Sequence, residues 1–192
     1  MQLHLQGEGG KIGALVSGDS GGDLQKLVDD VSFSGTKLAS AAESPHRLLF
    51  QTAELTAPLH LSGTATISIR VASSKPAANL SIWLVALPWE ASRRINDNII
   101  TRGWADPQNH ASLADGEPLV PGAFYDMKFD LQPDDQIIPV GQRVALMIFS
   151  SDREYTLWPE PGTELTIDLA GTSLTLPVVG GADAFAAATG GR

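Results

Sequence analysis

The 192-residue sequence contains no cysteine. Thiol nucleophiles, disulfide frameworks, Cys-ligated zinc and iron–sulfur clusters are excluded together by that absence. Cations are scarce too: 13 Lys and Arg stand against 22 Asp and Glu, a formal net charge of −9. Nucleic-acid binding by counterion release needs clustered positive charge, which this chain lacks. No apolar run approaches the roughly 20 residues that span a bilayer. The start, Met1-Gln2-Leu3-His4, has neither the basic residues nor the apolar stretch of a secretory signal. The chain is expected to be soluble, without a membrane partner, and cytoplasmic and secreted locations both stay open. Helical spacing is rare: Leu24, Leu27, Val28 and Val31 suffice for one short turn or two, and little else follows an i, i+3, i+4 stripe.

What the sequence has is alternation. Leu59, Leu61, Gly63, Ala65, Ile67, Ile69 and Val71 alternate with His60, Ser62, Thr64, Thr66, Ser68 and Arg70, the period of a strand with one wet face. Tyr125, Met127, Phe129 and Leu131 alternate with charged Asp126, Lys128 and Asp130, and 165–169 repeats the pattern more briefly. Residues 80–87 and 144–149 are apolar on both faces, as expected for central strands covered on each side. Further strands are expected at 2–5, 48–52, 99–104 and 173–178, separated by Gly, Pro and Asp clusters such as Gln132-Pro133-Asp134-Asp135 and Pro159-Glu160-Pro161-Gly162. Many strands, long loops and almost no helix predict an all-β, two-sheet sandwich, jelly roll or immunoglobulin-like, and the uneven loop lengths favour the jelly roll with its crossing connections.

Several motifs invite a catalytic reading. Gly18-Asp19-Ser20-Gly21-Gly22 matches the G-x-S-x-G elbow and the nucleophile segment of trypsin-like proteases. An elbow needs a parallel βαβ sheet, and a trypsin-like enzyme needs its His and Asp upstream in two barrels; neither context is supplied, so a glycine-rich surface connection is expected. Asp106, His110 and Ser112 can be drawn as a hydrolytic group, but a loop of Asp, Pro and Asn is also ordinary turn chemistry. His4, His46, His60 and His110 are dispersed without zinc-site spacing. Asp130, Asp134 and Asp135 lack a calcium-loop pattern, and Gly7-Glu8-Gly9-Gly10-Lys11 lacks the spacing of a phosphate loop. No metal and no cofactor is expected. Trp83 falls inside an apolar strand and is expected in the core, whereas Trp89, Trp104 and Trp158 neighbour Pro, Gly or charge and are candidates for a contact surface.

The run Asn98-Ile99-Ile100-Thr101-Arg102-Gly103-Trp104-Ala105-Asp106-Pro107-Gln108-Asn109-His110, followed by Glu117-Pro118-Leu119-Val120-Pro121-Gly122 and then 125–131, resembles the C-terminal domain of Xaa-Pro dipeptidyl-peptidases. Downstream, Pro139-Val140-Gly141-Gln142-Arg143, Phe149-Ser150-Ser151-Asp152-Arg153-Glu154-Tyr155-Thr156 and Leu176-Pro177-Val178-Val179-Gly180-Gly181 continue the likeness, which covers roughly residues 46 to 181. The domain type is similar to that of cocaine esterase and the α-amino-acid ester hydrolases: a galactose-binding-like β jelly roll packed on an α/β-hydrolase domain. The resemblance implies that the parent's Ser, Asp and His lie in the hydrolase domain, that none carries over to this chain, and that Met1 marks an excised domain whose opening strand is Leu3-His4-Leu5. A single domain is expected over residues 1–181, with 7–45 a long irregular connection after the opening strand, and the Ala/Gly composition of 182–192 predicts a flexible tail. Arg102, Trp104, Asp106, His110 and Trp158 are the candidate surface toward the hydrolase, or toward a ligand, because they combine aromatic anchors, a fork-shaped donor and loop placement. The function implied is that of a non-catalytic domain shaping the active-site entrance of a serine peptidase that releases N-terminal X-Pro dipeptides. Two alternatives stay open: an independent carbohydrate-binding module using the exposed Trp residues, and an autonomous hydrolase built on Ser20 or on Asp106, His110 and Ser112.

Overall fold

Residues 1–7, 12–90 and 98–191 are described by the computed structural model; the 8–11 part of the segment weighed above as a phosphate loop lies outside them. Strands dominate: β1 (Gln2–Gln6), β2 (Gly13–Val16), β3 (Leu24–Val28), β4 (Leu48–Gln51), β5 (Leu59–Gly63), β6 (Thr66–Ser73), β7 (Leu80–Leu87), β8 (Ile99–Ala105), β9 (Phe124–Asp130), β10 (Asp134–Ile138), β11 (Arg143–Phe149) and β12 (Glu164–Thr175). The described residues add two short α-helices, α1 (Gly35–Ser40) between β3 and β4 and α2 (Gly181–Thr189) after β12. Ten of the strands form one sheet in the order β8-β7-β11-β4-β2-β1-β12-β6-β9, with β3 also on β12, and β5 pairs with β10 in a separate ribbon. Pairing is antiparallel except between β2 and β4. The sheet curls nearly closed: past β9, Gln132 N–H donates to the Arg102 carbonyl of β8 at 2.8 Å. Only glycine permits that approach at residue 103, where a Cβ would lie 2.5 Å from Leu131 Cδ2 and 3.2 Å from its Cα.

The long alternating run of the sequence is split at Gly63, whose φ of 125° suits glycine alone. Ahead of it β5 pairs with β10, and beyond it β6 enters the main sheet between β12 and β9. The odd residues keep one side throughout: Leu59, Leu61, Ala65, Ile67, Ile69 and Val71 are all buried. Residues 165–169 and 173–175, expected in two separate strands, lie in one twelve-residue strand, β12, with a register shift against β6 between Asp168 and Ser173, and 176–178 lie beyond its end. Its first half pairs with β3 and its second half with β1.

Strands β7 and β11 are buried on both faces because each face meets a different layer. Ile82, Leu84, Ala86, Val144, Leu146 and Ile148 join the large core, while Trp83, Val85, Ala145, Met147 and Phe149 form a second cluster with Leu38 and Ala39 of α1. Each such buried aliphatic side chain contributes about 2 kcal/mol by area. The N-terminus of α1 is capped by Ser34, whose side chain accepts from Lys37 N–H, and rests on Trp83: a Cβ on Gly35 would come within 2.3 Å of the indole.

The observed elements depart from expectation at four places. The short helical turn expected around Leu24, Leu27, Val28 and Val31 is β3, with Leu27 buried and Leu24 and Val28 exposed. Backbone pairing to β12 outweighs the spacing of four apolar residues. The expected irregular connection at 7–45 holds β2, β3 and α1, four- to six-residue elements, of which β2 pairs with β1 and β4 and β3 with distant β12. The Ala/Gly-rich end also folds: α2 buries Phe185 and Ala188, and the Ala188 carbonyl accepts from Thr56 N–H at 2.7 Å. Alanine is the strongest helix former, and one phenylalanine anchors the helix to the core. Likewise the Asp134-Asp135 turn opens a strand, β10, whose Ile138 is fully buried.

Candidate functional site

Register builds the site. Trp83 lies opposite Arg102 and Ser81 opposite Trp104 across β7 and β8, so all four side chains project from the outer face of the sheet. The chain leaving β11 returns over that face. Ser81 Oγ donates to the Ser150 carbonyl at 2.6 Å and Ser150 Oγ to the Asn79 carbonyl at 3.0 Å. Ser151 then donates from N–H (2.9 Å) and Oγ (2.7 Å) to the buried carboxylate of Asp29. These bonds deliver Asp152 between two indoles. Trp83 Nε1–H and Trp104 Nε1–H both donate to Asp152 Oδ2, at 2.8 and 2.9 Å. Asp152 Oδ1 is buried and has no hydrogen-bond partner among the described residues.

Above this carboxylate the rings stack. Tyr155 lies on Trp104 with centroids 5.1 Å apart and planes 25° from parallel. The Arg102 guanidinium sits 4.8 Å from the Tyr155 centroid and 5.3 Å from that of Trp83, within cation–π range. Burial pushes the Asp152 carboxyl above the ordinary carboxylate range; the indole bonds of Trp104 and Trp83 oppose the shift, Glu154 adds to it, and Arg102 opposes it. A raised folded-state pKa means that the stability supplied by the neutral acid is fully present below the unfolded value and is lost as pH rises through the folded one. Asp152→Ala is expected to cost about 3 kcal/mol, because two indole N–H groups lose their acceptor. Asp152→Asn, neutral and still presenting a carbonyl oxygen, is expected to cost less than half as much. Urea unfolding of the two variants at neutral pH checks the order.

The loop that follows is rooted firmly and bare at its tip. Tyr155 N–H and Thr156 N–H both donate to the Asp152 carbonyl, at 2.8 and 2.9 Å. Asn79 Nδ2 bonds the Leu157 carbonyl, and Lys75 Nζ reaches the Pro161 carbonyl at 2.7 Å. Yet Tyr155 is 56% exposed, Leu157 87% and Trp158 59%. Loops 74–79, 106–123 and 150–163 meet at this end of the fold, since Leu119 N–H also bonds the Pro76 carbonyl and Gly122 N–H the Ser73 carbonyl. Exposed Leu113 and Val120 extend the apolar character of the same loops.

The sequence-derived candidates separate into two groups. Arg102 and Trp104 share the stack with Tyr155, and Trp158 belongs to its loop, its Nε1–H reaching the Arg153 carbonyl at 3.4 Å. Asp106 and His110 flank the 3-10 turn Pro107–Asn109 just beyond β8. The Asp106 carboxylate accepts from Gln108 N–H at 2.9 Å, whereas His110 donates through Nδ1 to the Pro107 carbonyl and packs its ring 4.4 Å from that of Tyr125. Ser112 Oγ accepts from Ala114 and Asp115 N–H groups. All three are occupied by their own turn. Ser20 precedes a strand, β3, rather than a helix. Among the described residues no group of three or more His, Asp or Glu is placed to hold a metal ion: Asp135 pairs with His60 at 2.6 Å and Asp130 accepts from Thr66. No helix among the described residues is long and apolar enough to cross a membrane. Asp152, Tyr155 and Leu157 were not among the candidates. The signal that finds them is the polar run Ser150-Ser151-Asp152-Arg153 directly after a wholly apolar strand.

Comparison with known proteins agrees with this layout. The family described as X-Pro dipeptidyl-peptidase C-terminal non-catalytic domain matches residues 4–187. A Rhodopirellula baltica protein assigned as an Xaa-Pro dipeptidyl-peptidase is 60% identical over 159 residues, 82% of this chain and 25% of that protein. A Bacillus anthracis protein assigned the same way is 33% identical over 163 residues, 82% of this chain and 26% of its own length. The chain thus spans about a quarter of the curated relatives it matches. Among solved structures an α-amino acid ester hydrolase shares the fold, with a TM-score of 0.70 at 17% identity over 93% of this chain and 36% of that one. By sequence over nearly its whole length, this chain belongs to the X-Pro dipeptidyl-peptidase C-terminal non-catalytic domain family.

Proposed function

We propose that the chain is the jelly-roll, galactose-binding-domain-like companion of an α/β-hydrolase domain in a serine peptidase that releases N-terminal X-Pro dipeptides. It forms a single domain, here carried through α2, and contributes no triad residue. The parent's acyl transfer runs through a Ser nucleophile, with a His base oriented by Asp, on the hydrolase domain. This chain packs against that domain through the end bearing Arg102, Trp104, Asp106, His110 and Trp158, and its loops wall the approach to the cleft. The observation that carries the reading is the 150–163 loop: fixed at its base by bonds to Asp29, Trp83 and Trp104, it holds Tyr155, Leu157 and Trp158 out in solvent. Rigid apolar side chains displayed at such a tip suit a permanent protein contact. The carbohydrate-binding alternative is less favoured, because Trp104 is already stacked on Tyr155 with the Arg102 guanidinium 5.9 Å from its ring centroid, which leaves Trp158 alone as the exposed indole of this loop.

Purified alone, the chain is expected to leave an X-Pro p-nitroanilide and an X-Pro ester unhydrolysed. Turnover abolished by Ser20→Ala, or by His110→Ala, would contradict the proposal.

A further inference from the structure

The buried carboxylate beneath the exposed loop has a consequence of its own, independent of what the loop docks against. We infer that Asp152 is a proton-sensitive latch on the 150–163 loop, closed when its carboxyl is protonated and loosened when it is ionised. The geometry is that of an acid placed where its charge is poorly met. Oδ2 takes both indole donors, Oδ1 takes none, and the residue is fully buried.

The charged and titratable neighbours do not complete the solvation. From β8, Arg102 attracts the carboxylate, but its guanidinium is stacked among Trp83, Trp104 and Tyr155 and makes no hydrogen bond to Oδ1. From β7 only the indole of Trp83 reaches it. Within the loop, Glu154 repels it and Arg153 is turned away to the Ser32 carbonyl. Ahead of α1, Asp29 is a second buried acid, engaged by Ser151. Lifting the loop would hydrate Oδ1, so ionisation favours the lifted state and protonation the seated one.

Linkage gives the window. Opening is rarest below the ordinary carboxylate pKa, grows as pH rises from there to the raised value of the seated loop, and is constant above it. The reporters are built in: Ser151 N–H, donated to Asp29, and the Trp83 and Trp104 indole N–H groups, donated to Asp152 Oδ2, lose their acceptors when the loop lifts. Hydrogen exchange of these three N–H groups, read by NMR from pH 4 to 8 and corrected for intrinsic exchange rates, is expected to show a several-fold rise in the opening constant that then levels off. In Asp152→Asn the corrected constant is expected to be flat, while Glu154→Gln keeps the rise. A flat wild-type profile, or an equal rise in Asp152→Asn, would overturn the inference. Should Asp152→Asn fold poorly, carbon-detected NMR titration of the wild-type Asp152 carboxyl decides: an apparent pKa above the ordinary carboxylate value supports the latch, and one at or below that value refutes it.

Discussion

Replacing Trp83 by alanine is expected to lower the free energy of unfolding by about 4 kcal/mol. Trp83 is 2% exposed and heads the largest fully buried side chains. Its ring meets Phe149 edge-on, with centroids 5.8 Å apart and planes at 81°, and it supports the first turn of α1 at Gly35. Truncation removes all of that packing and leaves the collar of β7, β11 and α1 around a void it cannot fill. It also takes one of two donors from the buried Asp152 carboxylate. Trp83→Phe retains most of the apolar contact but not the N–H, so a cost between those of wild type and alanine is expected. Urea unfolding followed by far-ultraviolet circular dichroism measures both. A loss below about 1.5 kcal/mol for the alanine variant would show that the outer cluster is not a second core.

The second large effect concerns association rather than folding. Leu157→Ala combined with Trp158→Ala is expected to leave the stability of the isolated chain within about 0.5 kcal/mol of wild type, since both side chains stand in solvent. Binding to the catalytic portion is expected to weaken by about 2 kcal/mol or more, roughly 30-fold, as for a central apolar anchor. The measurement adds this chain in trans to the Rhodopirellula baltica relative from which its own C-terminal quarter has been removed. Asp106→Asn and His110→Ala are expected to weaken binding less, because those side chains are spent on the Pro107–Asn109 turn and on Tyr125. Equal loss from all of them would point to a diffuse, polar interface instead.

Much of the architecture is legible in the chain because alternation reports burial directly. Apart from Gly63, the odd residues from Leu59 to Val71 face the core as their period requires, and the two apolar runs became β7 and β11, covered on both faces. Short elements escape this reasoning. The stretches that became β2 and β3 are four and five residues long; β2 pairs with nearby β1 but also with β4 more than thirty positions away, and β3 pairs with β12 more than a hundred away. The same limit applies to the site. Arg102, Trp104 and Trp158 announce themselves by residue type, but Asp152 reads as one more polar loop residue until the register of β7 and β8 sets two indoles beside it. Nor does a sequence show that Asp106 and His110, four apart, are each held by their own turn.

The docking face is tested most directly by joining this chain to the catalytic portion of the Rhodopirellula baltica relative in place of its own C-terminal quarter, then comparing hydrogen exchange of the joined protein with that of the free chain. Slowed exchange is expected in 102–106 and 153–158, with no change in the β5 and β10 ribbon. Slowing confined to that ribbon, where Ile137 is exposed, with 153–158 unaltered, would contradict the account.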